Sequence, residues 1–306
     1  MTRPVLVTGA SGKQGGAVVQ ALLDQPDDIV ILAVTRNPDS ASAQKLAAHG
    51  VKLVKGDLDN VPAIFEAAKA ISPTGKIWGV FSVQATSLTT DAVNIESNAE
   101  VKQGIALIDQ AVQAGVTHFV YSSVDRGGEE RSWENPTDVP HFRTKAIIET
   151  HLRDTGSNMT WAILRPAIFM DNITPDMVGK GIMTSVRDVM GDKKMPWIAV
   201  KDIGFFGAML LRDPKTWNGR ALSLGSDAVN FDEINKTFRK VTGQDVPTTY
   251  SFIATGMRWA LTDMGKMFAW FKRDGYNVDS KELKRLHPGM LDLEAWLRTQ
   301  SAWKTK

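Results

Sequence analysis

A glycine-rich segment, Gly9-Ala10-Ser11-Gly12-Lys13-Gln14-Gly15-Gly16, directly follows the apolar run Val5-Leu6-Val7 and its Thr8, and opens a stretch with Val18, Ala21 and Leu22 at helical spacing. Glycine lacks a Cβ, so such a loop turns tightly and lets the backbone approach a pyrophosphate. The phosphate charge then rests on the N–H groups that open the helix. Gly9, Ser11, Gly12, Lys13, Gln14 and Gly15 are therefore candidate dinucleotide contacts. The spacing is GxxGxxG rather than GxGxxG, and the strand before and helix after supply the context the motif needs. The competing reading is a glycine-rich turn in an unrelated α/β protein.

The second strand-like run ends Thr35-Arg36-Asn37-Pro38, about 20 residues past the loop, where an acidic residue would meet the ribose 2′-hydroxyl of NAD. Arg36 stands there instead. A guanidinium grips a 2′-phosphate that a carboxylate would repel, so NADP(H) is the expected cofactor, with Lys13 as a supplementary charge. The alternative for Arg36 is a solvated cation at a strand end. Asp57, in Lys55-Gly56-Asp57-Leu58, is placed to accept from an adenine amino group or to serve as a turn residue. Leu58, Val83 and Gln84 complete the expected cofactor contacts on this side.

A second group lies near mid-chain. His141 and Lys145 are four residues apart and Glu149 four further, so on a helix they share a face. Ser122 and Ser123 close the fifth strand-like run, as site residues or as serines that satisfy turn backbone.

These groups need a scaffold, and the chain supplies one by alternation. Short β-branched runs at 5–8, 29–34, 51–55, 78–83, 118–122 and 160–164 are separated by helical patterns, which reads as βαβ units around a parallel sheet. Val101, Ile105, Ile108 and Val112 form one face of a crossover helix that stops at Gly115. The expected fold is α/β: a doubly wound parallel-sheet Rossmann domain over 1–168, a lobe begun at 169–196, a return to the sheet at 197–225, and a smaller, mainly helical C-terminal lobe over 226–306. In that lobe Asp232 is the expected N-cap of a helix stopped by Gly243. Ile253, Met257, Ala260, Met264, Met267 and Phe271 mark a long amphipathic helix. Trp259, Phe268, Trp270 and Phe271 read with these methionines as core packing, or as an adaptable pocket.

Composition removes other classes. Of 306 residues none is cysteine, which excludes disulfides, thiolate metal sites and a cysteine nucleophile. No metal site is expected. The formal net charge of +2 is too small for a general nucleic-acid or membrane-surface footprint, so neither is an expected partner. The apolar stretch 252–271 contains Arg258, Asp263 and Lys266, each costing roughly 2.5–3.5 kcal/mol at mid-bilayer, so it is not read as a membrane span. With a strand so close to Met1, a cytoplasmic location is the default expectation, with the nucleus as a further one. Expected partners are a small-molecule substrate or a protein docking on the C-terminal lobe, with a homodimer as an open expectation.

The glycine loop, Arg36, Gly56-Asp57-Leu58, the segment 115–123 and Lys201-Asp202-Ile203-Gly204 together resemble the NmrA-like family of atypical short-chain dehydrogenases/reductases over most of the chain. His141-Phe142-Arg143-Thr144-Lys145 narrows the resemblance, because the wider superfamily has tyrosine, three residues, then lysine at this site. The resemblance implies that Lys145 contacts the nicotinamide ribose. It also implies that Ser122 lies at the active site, that Pro166 through Phe169 flank the ring, and that Asn172 begins the substrate lobe. The strand-end rule for ligand crevices agrees on Pro166 and Phe169, which otherwise read as a tight turn with a packed ring.

Histidine titrates near working pH and could replace the missing tyrosine as proton donor. A neighbouring Lys145 ammonium, however, would favour the neutral ring and leave His141 a poor donor. The family includes NADPH/NADP-sensing regulators as well as reductases. On these grounds the sequence leans to a nicotinamide-nucleotide sensing or regulatory protein. The alternative is an NADPH-dependent oxidoreductase acting on a carbonyl or an activated double bond, with Lys145, His141 and Ser122 in its active site.

Overall fold

The computed structural model describes residues 2–25, 28–85, 94–155 and 158–306. Its strands are β1 (Arg3–Val7), β2 (Ile29–Thr35), β3 (Lys52–Lys55), β4 (Gly79–Ser82), β5 (His118–Ser122), β6 (Thr160–Pro166), β7 (Ile168–Phe169), β8 (Met195–Ile198), β9 (Arg220–Leu224) and β10 (Ala228–Val229). Between the first strands run α1 (Lys13–Leu23), α2 (Ala41–Ala48), α3 (Val61–Ile71) and α4 (Ala99–Gln113). Then come α5 (Glu129–Glu134), α6 (Pro140–Thr155), α7 (Met177–Ser185), α8 (Val200–Arg212) and α9 (Pro214–Trp217). The chain ends with α10 (Phe231–Thr242), α11 (Ser251–Ala260), α12 (Thr262–Arg273), α13 (Ser280–Leu286) and α14 (Leu293–Thr299).

Seven strands form one sheet in the order β3-β2-β1-β4-β5-β6-β9, with every pairing parallel. Alternate residues of β1 explain why its sequence is unbroken apolar. Val5 and Val7 enter the core beneath α1 and α8, while Leu6 enters the core beneath α3, α4 and α6. The strand order reverses between β1 and β4, and a ligand crevice opens there at the carboxyl ends. On one face α8 lies hard against α1, since a Cβ on Gly204 would stand 2.4 Å from the Ala17 carbonyl oxygen. The Lys201–Gly204 segment is thus a packing feature. Asp202 within it is buried and accepts from the Leu291 N–H at 3.0 Å.

The C-terminal lobe has its own core, in which Trp197, Phe238, Phe268, Trp270 and Phe271 are buried. It is not helical alone: β10, β8 and β7 form a second, three-stranded sheet that the sequence reading missed. The return strand β9 joins the edge of the large sheet as expected. Two further expectations are corrected. The cap of α10 is Asn230, not Asp232, because Asn230 and Glu233 satisfy each other's backbone N–H in a reciprocal capping box. The long helix over 253–271 is broken at Leu261, whose φ of −100° and ψ of 88° leave the helical region. The break turns Asp263 inward and leaves Trp259 87% exposed, so Trp259 is not core. Among the described residues no helix is long and apolar enough to cross a membrane.

Candidate functional site

The glycine loop is built by close approach. Gly9 has a φ of +59°, a conformation that favours glycine, and a Cβ there would meet Val83 Cγ1 at 2.8 Å. A Cβ on Gly15 would lie 2.4 Å from the Gly9 carbonyl oxygen and 2.5 Å from that of Thr8. Thr8 Oγ1 accepts from the Val83 N–H at 2.8 Å and so clamps the end of β1 to the end of β4. At the N-cap of α1, Gly12 offers no side chain to the first N–H groups of the helix, which leaves them for an anion.

From this loop a cavity of about 390 Å³ runs across the ends of β2 and β3, lined by Gly9, Ser11, Arg36, Asp57, Leu58 and Val83 among others. The cavity thus gathers six of the fourteen residues that the sequence offered as cofactor contacts: Gly9, Ser11, Arg36, Asp57, Leu58 and Val83. Asp57 accepts from the Asp59 N–H at 3.1 Å as the cap of a turn, and it also lines the cavity. Arg36 lines the same cavity and has no hydrogen-bond or ion-pair partner among the described residues. The close-packed glycines at 9 and 15, the open helix end and the unpaired guanidinium suit a phosphorylated dinucleotide.

Lys13 and Gln84 do not line this cavity. The Lys13 ammonium donates to the Asp171 carbonyl oxygen at 3.0 Å and does not line the cavity around Arg36, because α1 carries it toward the start of the C-terminal lobe. Gln84 is 5% exposed and turns back to donate to Ser82 Oγ at 2.9 Å, so Ala85 takes the place beside Val83. The sequence reading missed Ser40, which caps α2, and Gln103 on α4. Both line the cavity.

At the other end, Ser122 Oγ donates to Gln14 Oε1 at 2.6 Å, which joins β5 to the first turn of α1. Pro166 is buried at the end of β6, and Phe169 is half-buried against the sheet core. The first turn of α6 carries His141, whose backbone N–H and ring Nδ1 both lie 2.9 Å from Asp263 Oδ1. A carboxylate only accepts, so Nδ1 is the donor and Nε2 is the ring's remaining nitrogen. Nε2 has no hydrogen-bond partner among the described residues. Phe142 packs edge-on to His141 with centroids 4.7 Å apart, which holds the ring in place.

One turn on, Lys145 donates to Glu100 Oε1. The Thr144 hydroxyl donates to Glu100 Oε2 at 2.8 Å. Lys145 and the His141 ring thus each face a carboxylate, Glu100 and Asp263, that the sequence reading did not identify. Glu149, on the same helical face, has a different task. It is 1% exposed and its two oxygens are shared by Arg126 and Arg165 at 2.7–3.1 Å. Burial alone would raise its carboxyl, yet the two guanidiniums hold it below the usual value. Asp263 and Glu100 were missed for a clear reason. Asp263 interrupts an apolar stripe, and Glu100 stands in a helix's first turn, where acidic residues are common.

The arrangement can hold a dinucleotide along the loop and orient the His141 ring through Nδ1, with Lys145 one turn further along the same helix. Comparison with known proteins agrees with this reading of the fold. The model of the NmrA-like family matches residues 1–297. The NmrA-like family domain-containing oxidoreductase lnaB of Aspergillus flavus is 29% identical over 291 residues, covering 89% of this chain and 84% of that protein. The solved structure of an Escherichia coli NADPH-dependent quinone oxidoreductase complexed with NADPH superposes with a TM-score of 0.73 at 20% identity, covering 96% of this chain and 98% of that one. The negative transcriptional regulator NmrA in complex with NAD superposes at 0.71 and 16% identity, covering 98% and 95%. With the family model spanning nearly the whole chain and the loop, sheet order and His141–Lys145 segment in place, this chain belongs to the NmrA-like family.

Proposed function

We propose that this protein is an NADPH-dependent reductase of a small carbonyl compound or an activated double bond, with His141 as the proton donor. The observation that carries the proposal is the His141–Asp263 pair. It supplies an oriented acid at the place where the wider superfamily has tyrosine. Arg36 favours the 2′-phosphorylated nucleotide, and Lys145 is assigned to the nicotinamide ribose. NADPH, when bound, supplies a hydride. Reduction of a carbonyl then needs one proton at oxygen, which the imidazolium form of His141 gives from Nε2, leaving a neutral ring whose Nδ1–H is still donated to Asp263. The oxidoreductase names of the fungal relatives support this reading, and it places turnover ahead of the sensing role to which the sequence leaned.

The test is calorimetric titration with NADPH, NADP⁺, NADH and NAD⁺, followed by NADPH oxidation with a panel of quinones and enones. His141→Ala is expected to lower kcat by about 10²–10⁴-fold with NADPH affinity nearly unchanged. Equal turnover in the two proteins removes His141 from the chemistry, and failure to bind any of the four nucleotides removes the proposal.

One observation favours sensing as a second reading. Tyr250, Phe252 and Trp259 are 72%, 74% and 87% exposed on or beside α11, and the next helix carries Asp263 to His141. A lobe that displays aromatic surface is thus tied directly to the nucleotide site. A sensor of this kind must change that lobe on binding, so NADPH should slow protease cleavage within 174–196. Identical digestion with and without nucleotide counts against it.

A further inference from the structure

Two helices of the nucleotide domain meet where one of them has no side chain. A Cβ on Gly104 of α4 would lie 2.6 Å from Ile148 Cδ1 and 2.8 Å from its Cγ1, and Ile148 is fully buried on α6. Only glycine lets the helices approach this closely. One turn before Gly104 is Glu100, and one turn before Ile148 is Lys145, so the same approach brings carboxylate and ammonium together. Glu100 is 3% exposed and Lys145 8%, so the pair is shielded from water. Its second oxygen is occupied as well, by the Thr144 hydroxyl at 2.8 Å.

A long lysine side chain has four rotatable bonds, and its ammonium has three donors of equal strength. A buried carboxylate that takes one donor fixes where the nitrogen sits before any ligand arrives. We propose that Glu100 is a positioning residue for the nicotinamide half of the dinucleotide. It holds the Lys145 ammonium, and through Thr144 the first turns of α6, at the place where the nicotinamide ribose must lie. This rests on the assignment of Lys145 to that ribose. It adds a residue from α4 that the short motif His141–Lys145 does not contain.

A merely structural carboxylate and a positioning one differ in which part of the ligand feels the loss. Adenosine 2′,5′-bisphosphate carries the adenine end and the 2′-phosphate but no nicotinamide ribose. Calorimetric Kd values for NADPH and for this bisphosphate are compared in the wild type and in Glu100→Gln. The expected result is about tenfold weaker NADPH binding, with bisphosphate binding changed by less than about twofold. Where Glu100→Gln fails to fold, Glu100→Asp keeps the charge and withdraws it by one methylene. It should give the same selective loss in smaller measure, with an unaltered melting temperature. Equal losses for both ligands, or NADPH binding as tight as in the wild type, overturns the positioning role alone. A wild type that binds neither ligand overturns this role together with the proposed function.

Discussion

His141 Nδ1 lies 2.9 Å from Asp263 Oδ1, although 122 residues of chain separate them. The carboxylate is fully buried and belongs to the first turn of α12, so a residue of the C-terminal lobe orients the histidine that the proposed function uses as proton donor. Asp263→Asn removes the charge while keeping the shape. The expected outcome is a fall in kcat of about tenfold or more, with NADPH affinity close to wild type, measured by steady-state kinetics and calorimetry. Unchanged kcat would show that the ring needs no orienting partner.

On the proposed reading, Arg36 selects the 2′-phosphorylated nucleotide. A hydrogen bond to a charged group is worth about 1.5–3 kcal/mol, so Arg36→Ala should weaken NADPH binding by roughly 10–100-fold and leave NADH binding unaltered. Parallel loss for both nucleotides would mean that Arg36 supports the loop and does not read the 2′-phosphate.

Glu149 neutralises two buried guanidiniums, and Arg165 also lies over the Trp133 ring at 4.1 Å. Glu149→Gln leaves both cations without their counter-charge in a site shielded from water. Removing one member of such a network costs about 3–5 kcal/mol, so urea unfolding should show a loss of that order. A change under about 1 kcal/mol would mean that the site hydrates in the variant.

His118 gives the stability its own pH dependence. Burial in the sheet lowers its pKa from 6.5 to about 4, although the carbonyl oxygens of Leu210 and Thr160 oppose the shift. The unfolded chain therefore binds a proton that the folded chain refuses between about pH 6.5 and 4. The stability from a neutral His118 is complete above pH 6.5 and is lost as pH falls toward 4, by about 3 kcal/mol at most. Urea unfolding of the wild type and His118→Gln, compared at several pH values in this window, should show the difference between them shrinking as pH falls. A difference that stays constant would show that His118 does not titrate in the folded protein.

What the sequence made legible was local. The alternation that places Val5 and Val7 on one face and Leu6 on the other is a property of neighbouring residues. So is the glycine spacing that lets Gly9 turn and Gly15 lie against it. Strands, the crossover helix and the phosphate loop were readable for that reason, and Arg36 was identified by its distance from the loop. Where a local signal competed with a longer-range one, the reading slipped. Asp232 looked like a cap until Asn230 and Glu233 paired, and the stripe through Met257 and Met264 hid the break at Leu261.

The sequence by itself determined that a dinucleotide-type loop opens a parallel α/β sheet, that no cysteine chemistry is available, and that histidine stands four residues before the site lysine. Only the tertiary structure decided what those two side chains face. Spacing along a chain says nothing of which distant carboxylate reaches a cation. That is settled by how closely α4 approaches α6 through Gly104, and by the turn at Leu261 that brings Asp263 against His141.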